Sequence, residues 1–175
     1  LLKSMVFVLQ QTNTADLVII GGDFDDIITY RQQARELGID NRVHFIGPRS
    51  TNFIADYLQQ ADILVSPRIN GKNTPMKLYS YLDSGKAVVA TDLPTHTQVI
   101  DDTVAVLAKP NPKSFANSLL YLIENPQLRS RLGIAGKRLI QQKYTPAVFQ
   151  QKFNYLYKNL KDQLLVPTNI NSRND

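Results

Sequence analysis

The sequence contains no cysteine, which excludes a disulfide scaffold, a thiolate metal site and a cysteine nucleophile. A chain without cysteine suits a reducing compartment, although exported proteins can lack it too. Long hydrophobic runs are also missing: none approaches the roughly 20 apolar residues that a membrane-spanning helix needs. The opening stretch, Leu1 to Leu9, is apolar like a signal core, but it passes straight into Gln10-Gln11-Thr12-Asn13. No small-residue cleavage pattern follows it, so the expectation is the first helix of a truncated domain. Histidine is scarce. His44 falls in a strand pattern and is expected to be structural, and His96 is expected at a helix start near the rim of a site. Neither has the partners of a nucleophilic triad. Asp23, Asp25 and Asp26 stand close together after Gly22, but a loop or helix N-cap role fits them better than metal ligation. No metal site is expected, and no internal repeat is found.

A single-signed charge run is absent as well. The formal net charge is +5, which raises nucleic-acid binding as a class. The late basic residues, Arg129, Arg131, Lys137, Arg138 and Lys143, are scattered over helices that need solvent-facing side chains. No basic run is interleaved with stacking aromatics, and no zinc-finger, RRM or KH signature is present. The expectation is a solvated basic surface and no nucleic-acid partner, with mild attraction to phosphates or anionic headgroups as what the charge allows.

What is present is alternation. A length of 175 residues fits one domain with a sizeable core. Asp16 to Ile20 is a short apolar run ended by Gly21-Gly22, as in a buried parallel strand that opens into a loop. Ile27 to Leu37 has helical spacing and stops at Gly38. Further strands are predicted at Arg42–Gly47, Ile63–Pro67, Ala87–Thr91 and Thr103–Leu107, with a short helix around Phe53 to Leu58 and another from Pro75 to Ser84. Three helices follow, marked by Phe115/Leu119/Leu122, by Leu128/Leu132/Ala135 and by Phe149/Phe153/Leu156, each set at i, i+4, i+7. Strands alternating with helices imply parallel crossovers, a doubly wound α/β sheet with helices on both faces. The end, Val166 to Asp175, is polar and patternless, and reads as a disordered tail. The division expected is one domain over 1–162 and a tail over 163–175.

In order along the chain, these segments resemble the C-terminal, donor-binding domain of GT-B glycosyltransferases, in particular the family-4-like retaining group. The resemblance runs from about Leu1 to Leu160. It is carried by Asp16 to Gly22, by Asn41-Arg42-Val43-His44-Phe45-Ile46-Gly47, and by Tyr57 to Pro67 with its Ala61-Asp62 pair. Gly85-Lys86-Ala87-Val88-Val89-Ala90-Thr91 is similar to the family's fourth-strand motif, and Asn125-Pro126 with a Leu132-Gly133 turn is similar to its late region. The densest similarity is Asn73-Thr74-Pro75-Met76-Lys77 through Ser84-Gly85-Lys86, which resembles the donor-site segment.

The resemblance implies a Rossmann-like domain that binds a nucleoside-diphosphate sugar and takes part in hexosyl transfer to a glycan or lipid-type acceptor. The acceptor would be held by an N-terminal domain that this chain lacks. Donor contacts are implied for Gly21 and Gly22, for Pro48 and Arg49 beside the base, and for Asn73, Thr74, Lys77 and Ser80; the catalytic residues are not identified. Physical reasoning points to the same place. The polar loop Arg68 to Thr74 leaves a strand at the carboxyl end of the sheet, where open α/β folds bind ligands. A helix opened by Pro75 would offer free N–H groups to a diphosphate, and Lys77 would add a charge-assisted contact. Each residue has a plainer reading beside this one: Lys77 as a solvated lysine, Arg68 and Lys72 as inert loop residues, and the glycine pair as turn geometry.

The sequence also departs from the family. Where the family commonly carries two glutamates seven residues apart, this chain has Lys72 and Ser80. The strand that opens the family's domain has no counterpart here, and in the order 3-2-1-4-5-6 that strand is central. The fragment alone is therefore expected to be inactive. No cofactor or metal is expected; the location implied is cytoplasmic, with peripheral contact to the inner face of the membrane as a variant. The alternative function is a degenerate, non-catalytic nucleotide-sugar or protein-binding domain of the same fold. An epimerase or sugar-phosphate synthase of like architecture is a third, lacking here the additional histidines and acids such clefts carry.

Overall fold

The computed structural model describes residues 1–164. In chain order they form α1 (Leu2–Leu9), β1 (Leu17–Ile20), α2 (Phe24–Glu36), β2 (Val43–Gly47), α3 (Ile54–Gln60), β3 (Ile63–Ser66), α4 (Lys77–Asp83) and β4 (Ala87–Thr91). Then come α5 (Pro94–Thr97), β5 (Val106–Ala108), α6 (Pro112–Glu124), α7 (Pro126–Lys143) and α8 (Pro146–Leu164). The expected tail falls outside the described residues, except that 163 and 164 are the last residues of α8.

All strand pairs are parallel, but they fall into two groups, β1–β2 and β3–β4–β5. The break lies between β1 and β3, the position that the order 3-2-1-4-5-6 assigns to its first strand. A shared core bridges it: Leu2, Met5 and Val8 of α1 pack with Leu17, Phe45, Val89, Phe115 and Leu122 in one buried cluster. β4 shows why its sequence reads as an unbroken apolar run. Ala87 and Val89 face that cluster, while Val88 and Ala90 face a second one built with Leu64, Leu78, Leu82 and Ile140. A strand covered on both sides has no polar face to offer. β1 and β2 are covered on one side. Val18, Ile20 and Ile46, on the opposite pleat, are 55%, 41% and 36% exposed.

Several boundaries differ from the sequence expectation. The last strand is Val106–Ala108 instead of Thr103–Leu107, because the Asp101 carbonyl accepts from the N–H groups of Val104 and Ala105 and curls the chain into a turn there. The helix expected from Pro75 begins at Lys77. Pro75 and Met76 instead lend carbonyls to the N–H groups of Leu78 and Tyr79 in a tighter first turn. Leu132-Gly133 is no turn: both lie inside α7, where Gly133 is buried. On α8, Phe149, Phe153 and Leu156 keep their helical spacing yet are 67%, 51% and 57% exposed. Phe149, Phe153 and Tyr157 stack along the helix, with ring centroids 6.2 and 6.5 Å apart. Periodicity there predicted the helix but not a covering surface.

Candidate functional site

Parallel strands deliver their outgoing loops to one edge of a sheet, and the loops after β1, β2, β3 and β4 supply the candidate residues. On the first half-sheet Gly21 and Gly22 follow β1 and Pro48 and Arg49 follow β2. The Gly21 N–H donates to the Gly47 carbonyl at 2.9 Å, which joins the two loops. Gly21 and Gly22 have φ of 103° and 90°, a conformation that a residue with a Cβ rarely adopts. The turn requires this pair whatever else it does. Arg49 is exposed and donates to the carbonyl of its own neighbour Pro48.

The other half-sheet carries Asn73, Thr74, Lys77 and Ser80. The loop after β3 is braced from within: the Arg68 guanidinium donates to the Asn73 carbonyl, and the Thr91 hydroxyl donates to the Arg68 carbonyl. Gln98, at the end of α5, donates to the Thr74 hydroxyl. Lys77 lies over the Tyr81 ring, 5.7 Å from its centroid. Desolvation holds its ammonium below the ordinary lysine value, and the Arg68 charge pushes the same way. Ser80 is exposed one helical turn beyond Lys77. The candidates thus form two groups, each on its own half-sheet. α4 is seven residues long, so the side-chain cations Arg68 and Lys77 contribute more to this edge than the helix terminus does.

Beneath the loop lies a buried hydrogen-bond network that corrects the expected placement of His96. This side chain is fully buried instead of standing at a rim. Its Nδ1 is 2.8 Å from the Thr91 carbonyl and 3.1 Å from the Thr91 hydroxyl, and Nε2 is 3.0 Å from the Ser66 hydroxyl. A carbonyl accepts and never donates, so Nδ1 carries the proton and Nε2 accepts from Ser66. Burial pushes the His96 pKa below 6.5; the Thr91 carbonyl bond opposes this, and the charges of Arg68 and Lys77 add to it. The neutral ring ties the ends of β3 and β4 to α5. Ser66 is as inaccessible as the histidine, so the pair is a clamp and not a nucleophile with its base. His44 is exposed and lies 2.9 Å from Asp16, which Arg42 also approaches at 3.2 Å.

A cleft of about 410 Å³ opens between the loop after β3 and the start of α5, with Ile69, Asn70 and Lys72 on one wall and Pro94, Thr95 and Gln98 on the other. Among the described residues Lys72 is the one ionisable side chain in its lining. Thr95 is 5% exposed, and its hydroxyl has no hydrogen-bond partner among the described residues. Sequence reasoning missed Thr95 and Gln98. The available signal was Leu93-Pro94, a helix start directly after an apolar strand, but nothing local shows that this start turns toward the loop after β3. Among the described residues no carboxylate lies within salt-bridge distance of Arg68, Lys72 or Lys77; Asp16 instead meets Arg42 and His44. Among the same residues no acidic or histidine cluster of metal-binding type occurs, and no helix is long and apolar enough to cross a membrane.

A Rossmann-like α/β domain of parallel strands, with its candidate loops at the carboxyl edge, places the chain with the donor-side domains of GT-B proteins. The chain belongs to the family described as Glycosyl transferases group 1, matched over residues 1–139. It is 30% identical over 149 residues to the phosphatidyl-myo-inositol mannosyltransferase of Mycobacterium tuberculosis (strain CDC 1551 / Oshkosh), covering 81% of this chain and 38% of that protein. It therefore spans well under half the length of this relative. Among solved structures it is similar to Anabaena Alr3699/HepE in complex with UDP, with a TM-score of 0.79 and 20% identity over 90% of this chain and 44% of that one. It is also similar to the C-terminal domain of a glycosyl transferase group 1 family protein (LpcC) from Francisella tularensis, with a TM-score of 0.73 and 24% identity over 83% and 77% of the two chains.

Proposed function

We propose that residues 1–162 bind the nucleoside-diphosphate sugar of a hexosyltransferase, and that the full-length protein transfers the hexose, with retention of configuration, to a glycan or lipid-type acceptor. The observation that carries this reading is the group of cations at the carboxyl edge, Arg68, Lys72 and Lys77, set without a salt-bridged carboxylate among the described residues. Cations without a carboxylate partner among the described residues, with Lys77 partly desolvated, favour an anionic ligand. A diphosphate also gains negative charge as it leaves, so a site built this way stabilises the transition state more than the bound donor. Lys77 faces the diphosphate with Asn73, Thr74 and Ser80 beside it, and Gly21, Gly22, Pro48 and Arg49 line the base and ribose end. In this reading side chains carry the charge without a metal, and the acceptor is held by a part of the protein outside this chain, so residues 1–162 bind donor without transferring it. The protein works in the cytoplasm, against the inner face of the membrane when its acceptor is a lipid. The similarity to a mannosyltransferase and to a UDP-bound structure supports a sugar nucleotide as the ligand class.

Calorimetric titration of the full-length protein with UDP, GDP and their hexose conjugates tests this. Saturable binding should stabilise the fold by about 2.7 kcal/mol at a hundredfold excess over Kd, and Lys77→Ala should weaken it. Absence of binding by every nucleotide, from a folded protein, removes the proposal. A second reading, donor binding without turnover, is favoured by Lys72 and the exposed Ser80 standing where the family commonly has acids. Tight donor binding with no transfer and no donor hydrolysis separates the two.

A further inference from the structure

Resting on the donor-binding reading, we propose that Asn70 is a modification site: its side-chain amide is lost to attack by the Gly71 nitrogen, and the resulting carboxylate weakens donor binding. Asn70-Gly71 is the one asparagine–glycine pair in the chain. Glycine after asparagine leaves the attacking nitrogen unshielded, since no Cβ stands beside it. Both residues are exposed on the loop after β3, and among the described residues the Gly71 N–H donates to no backbone carbonyl. The structure also shows why this position requires glycine. Gly71 has φ of 140°, a conformation that side chains rarely allow, and a Cβ on it would stand 2.7 Å from an Arg68 guanidinium nitrogen. Arg68 passes close to the Gly71 backbone as it reaches the Asn73 carbonyl, so the contact that braces the loop also keeps the labile pair in place.

The step needs only water. The Gly71 N–H gives up its proton and the nitrogen bonds to the Asn70 side-chain carbonyl carbon. The bond from that carbon to the amide nitrogen breaks, and the departing group takes up a proton to leave as ammonia. Water then opens the five-membered imide at either carbonyl, leaving aspartate or isoaspartate, so the net change is gain of water and loss of ammonia. The Arg68 guanidinium beside Gly71 and the adjacent Lys72 favour the anionic nitrogen and the oxyanion through which the ring closes. Asn70 lies between these two cations in the loop and lines the cleft with Lys72. Neither cation has a carboxylate within salt-bridge distance among the described residues. A carboxylate at position 70 supplies one, which draws both cations from the diphosphate and repels the diphosphate itself.

The test compares fresh full-length protein with the same protein held in mildly alkaline buffer. Peptide mapping should find an amide exchanged for a carboxyl group at Asn70, with an acidic shift in isoelectric focusing. Calorimetry with UDP and GDP should show affinity for the nucleotide that binds falling in step. Asn70→Asp should bind that nucleotide about tenfold more weakly than fresh protein, the effect of one unfavourable charge close by. Asn70→Gln, whose longer side chain closes its ring far more slowly, should keep its affinity through the same incubation. Asn70 is exposed on a loop, so neither change threatens folding, and melting curves check that. An intact Asn70 after incubation overturns the proposal. So does nucleotide binding by Asn70→Asp as tight as that of fresh protein. Failure of fresh protein to bind either nucleotide removes the donor-binding reading and the effect on affinity with it, while the peptide map still decides the modification.

Discussion

Gly133 of α7 lies directly against Gly85, the residue that turns α4 into β4. A Cβ built on Gly133 would stand 2.0 Å from the Gly85 carbonyl oxygen, well inside van der Waals contact. The close approach lets α7 pack flat on α4 and β4. Because the obstructing atom is backbone, Gly133→Ala forces the helix away from the turn, and it should destabilise by about 1–3 kcal/mol or more. Gly136 is the internal control. Its added Cβ meets Leu82 Cδ2 at 2.9 Å, the movable end of a side chain, and alanine gains up to about 1 kcal/mol in helix propensity. Chemical denaturation of the two variants should give a large loss for Gly133→Ala and a small one for Gly136→Ala; equal losses would contradict the packing described.

The His96 clamp makes stability depend on pH. Burial keeps the folded imidazole below 6.5, so the unfolded chain binds protons more readily than the folded one. Stability is then complete above pH about 6.5 and declines as pH falls through the window between 6.5 and the lower folded value. The slope there approaches about 1.4 kcal/mol per pH unit for one proton. Melting temperatures recorded from pH 7.5 to 5 should show this decline. His96→Gln should be less stable at pH 7.5 but lose the His96 part of the slope.

Thr95→Val should leave stability unchanged or raise it. The substitution keeps the shape and removes a buried hydroxyl that has no partner among the described residues, so the unliganded protein should gain up to about 1 kcal/mol or stay neutral. A variant that unfolds more easily in urea would show that Thr95 has a structural partner instead.

Phe149 and Phe153 should behave as surface residues despite their size. At 67% and 51% exposed, Phe149→Gln and Phe153→Gln should each change the stability of this chain by no more than about 0.5 kcal/mol. Leu122→Ala, fully buried, should cost about 2–5 kcal/mol. Equilibrium urea unfolding distinguishes the two classes directly.

Much of the fold was legible because each element declares itself locally. Leu17 to Ile20 and Ala87 to Thr91 are apolar runs of strand length bounded by glycine or polar residues, and Phe115, Leu119 and Leu122 mark one helix face. The candidate site was partly legible for a related reason. The polar loop after an apolar strand predicted where Asn73, Thr74 and Lys77 lie along the chain, and the parallel order placed them at the carboxyl edge. Thr95 and Gln98 were not legible, because their relation to Lys72 spans more than twenty residues and depends on how α5 turns after β4.

The sequence by itself determined the order of strands and helices, their α/β class and the residues able to meet an anion, since periodicity, glycine placement and side-chain charge are properties of short segments. Tertiary structure alone decided that His96 is sealed beneath the loop instead of lining its rim, that the strands divide between β1–β2 and β3–β4–β5, and that the aromatic face of α8 stays exposed among the described residues. Those outcomes depend on which surfaces meet across long stretches of chain. A helix face or a histidine carries the same local pattern whether or not another element comes to cover it.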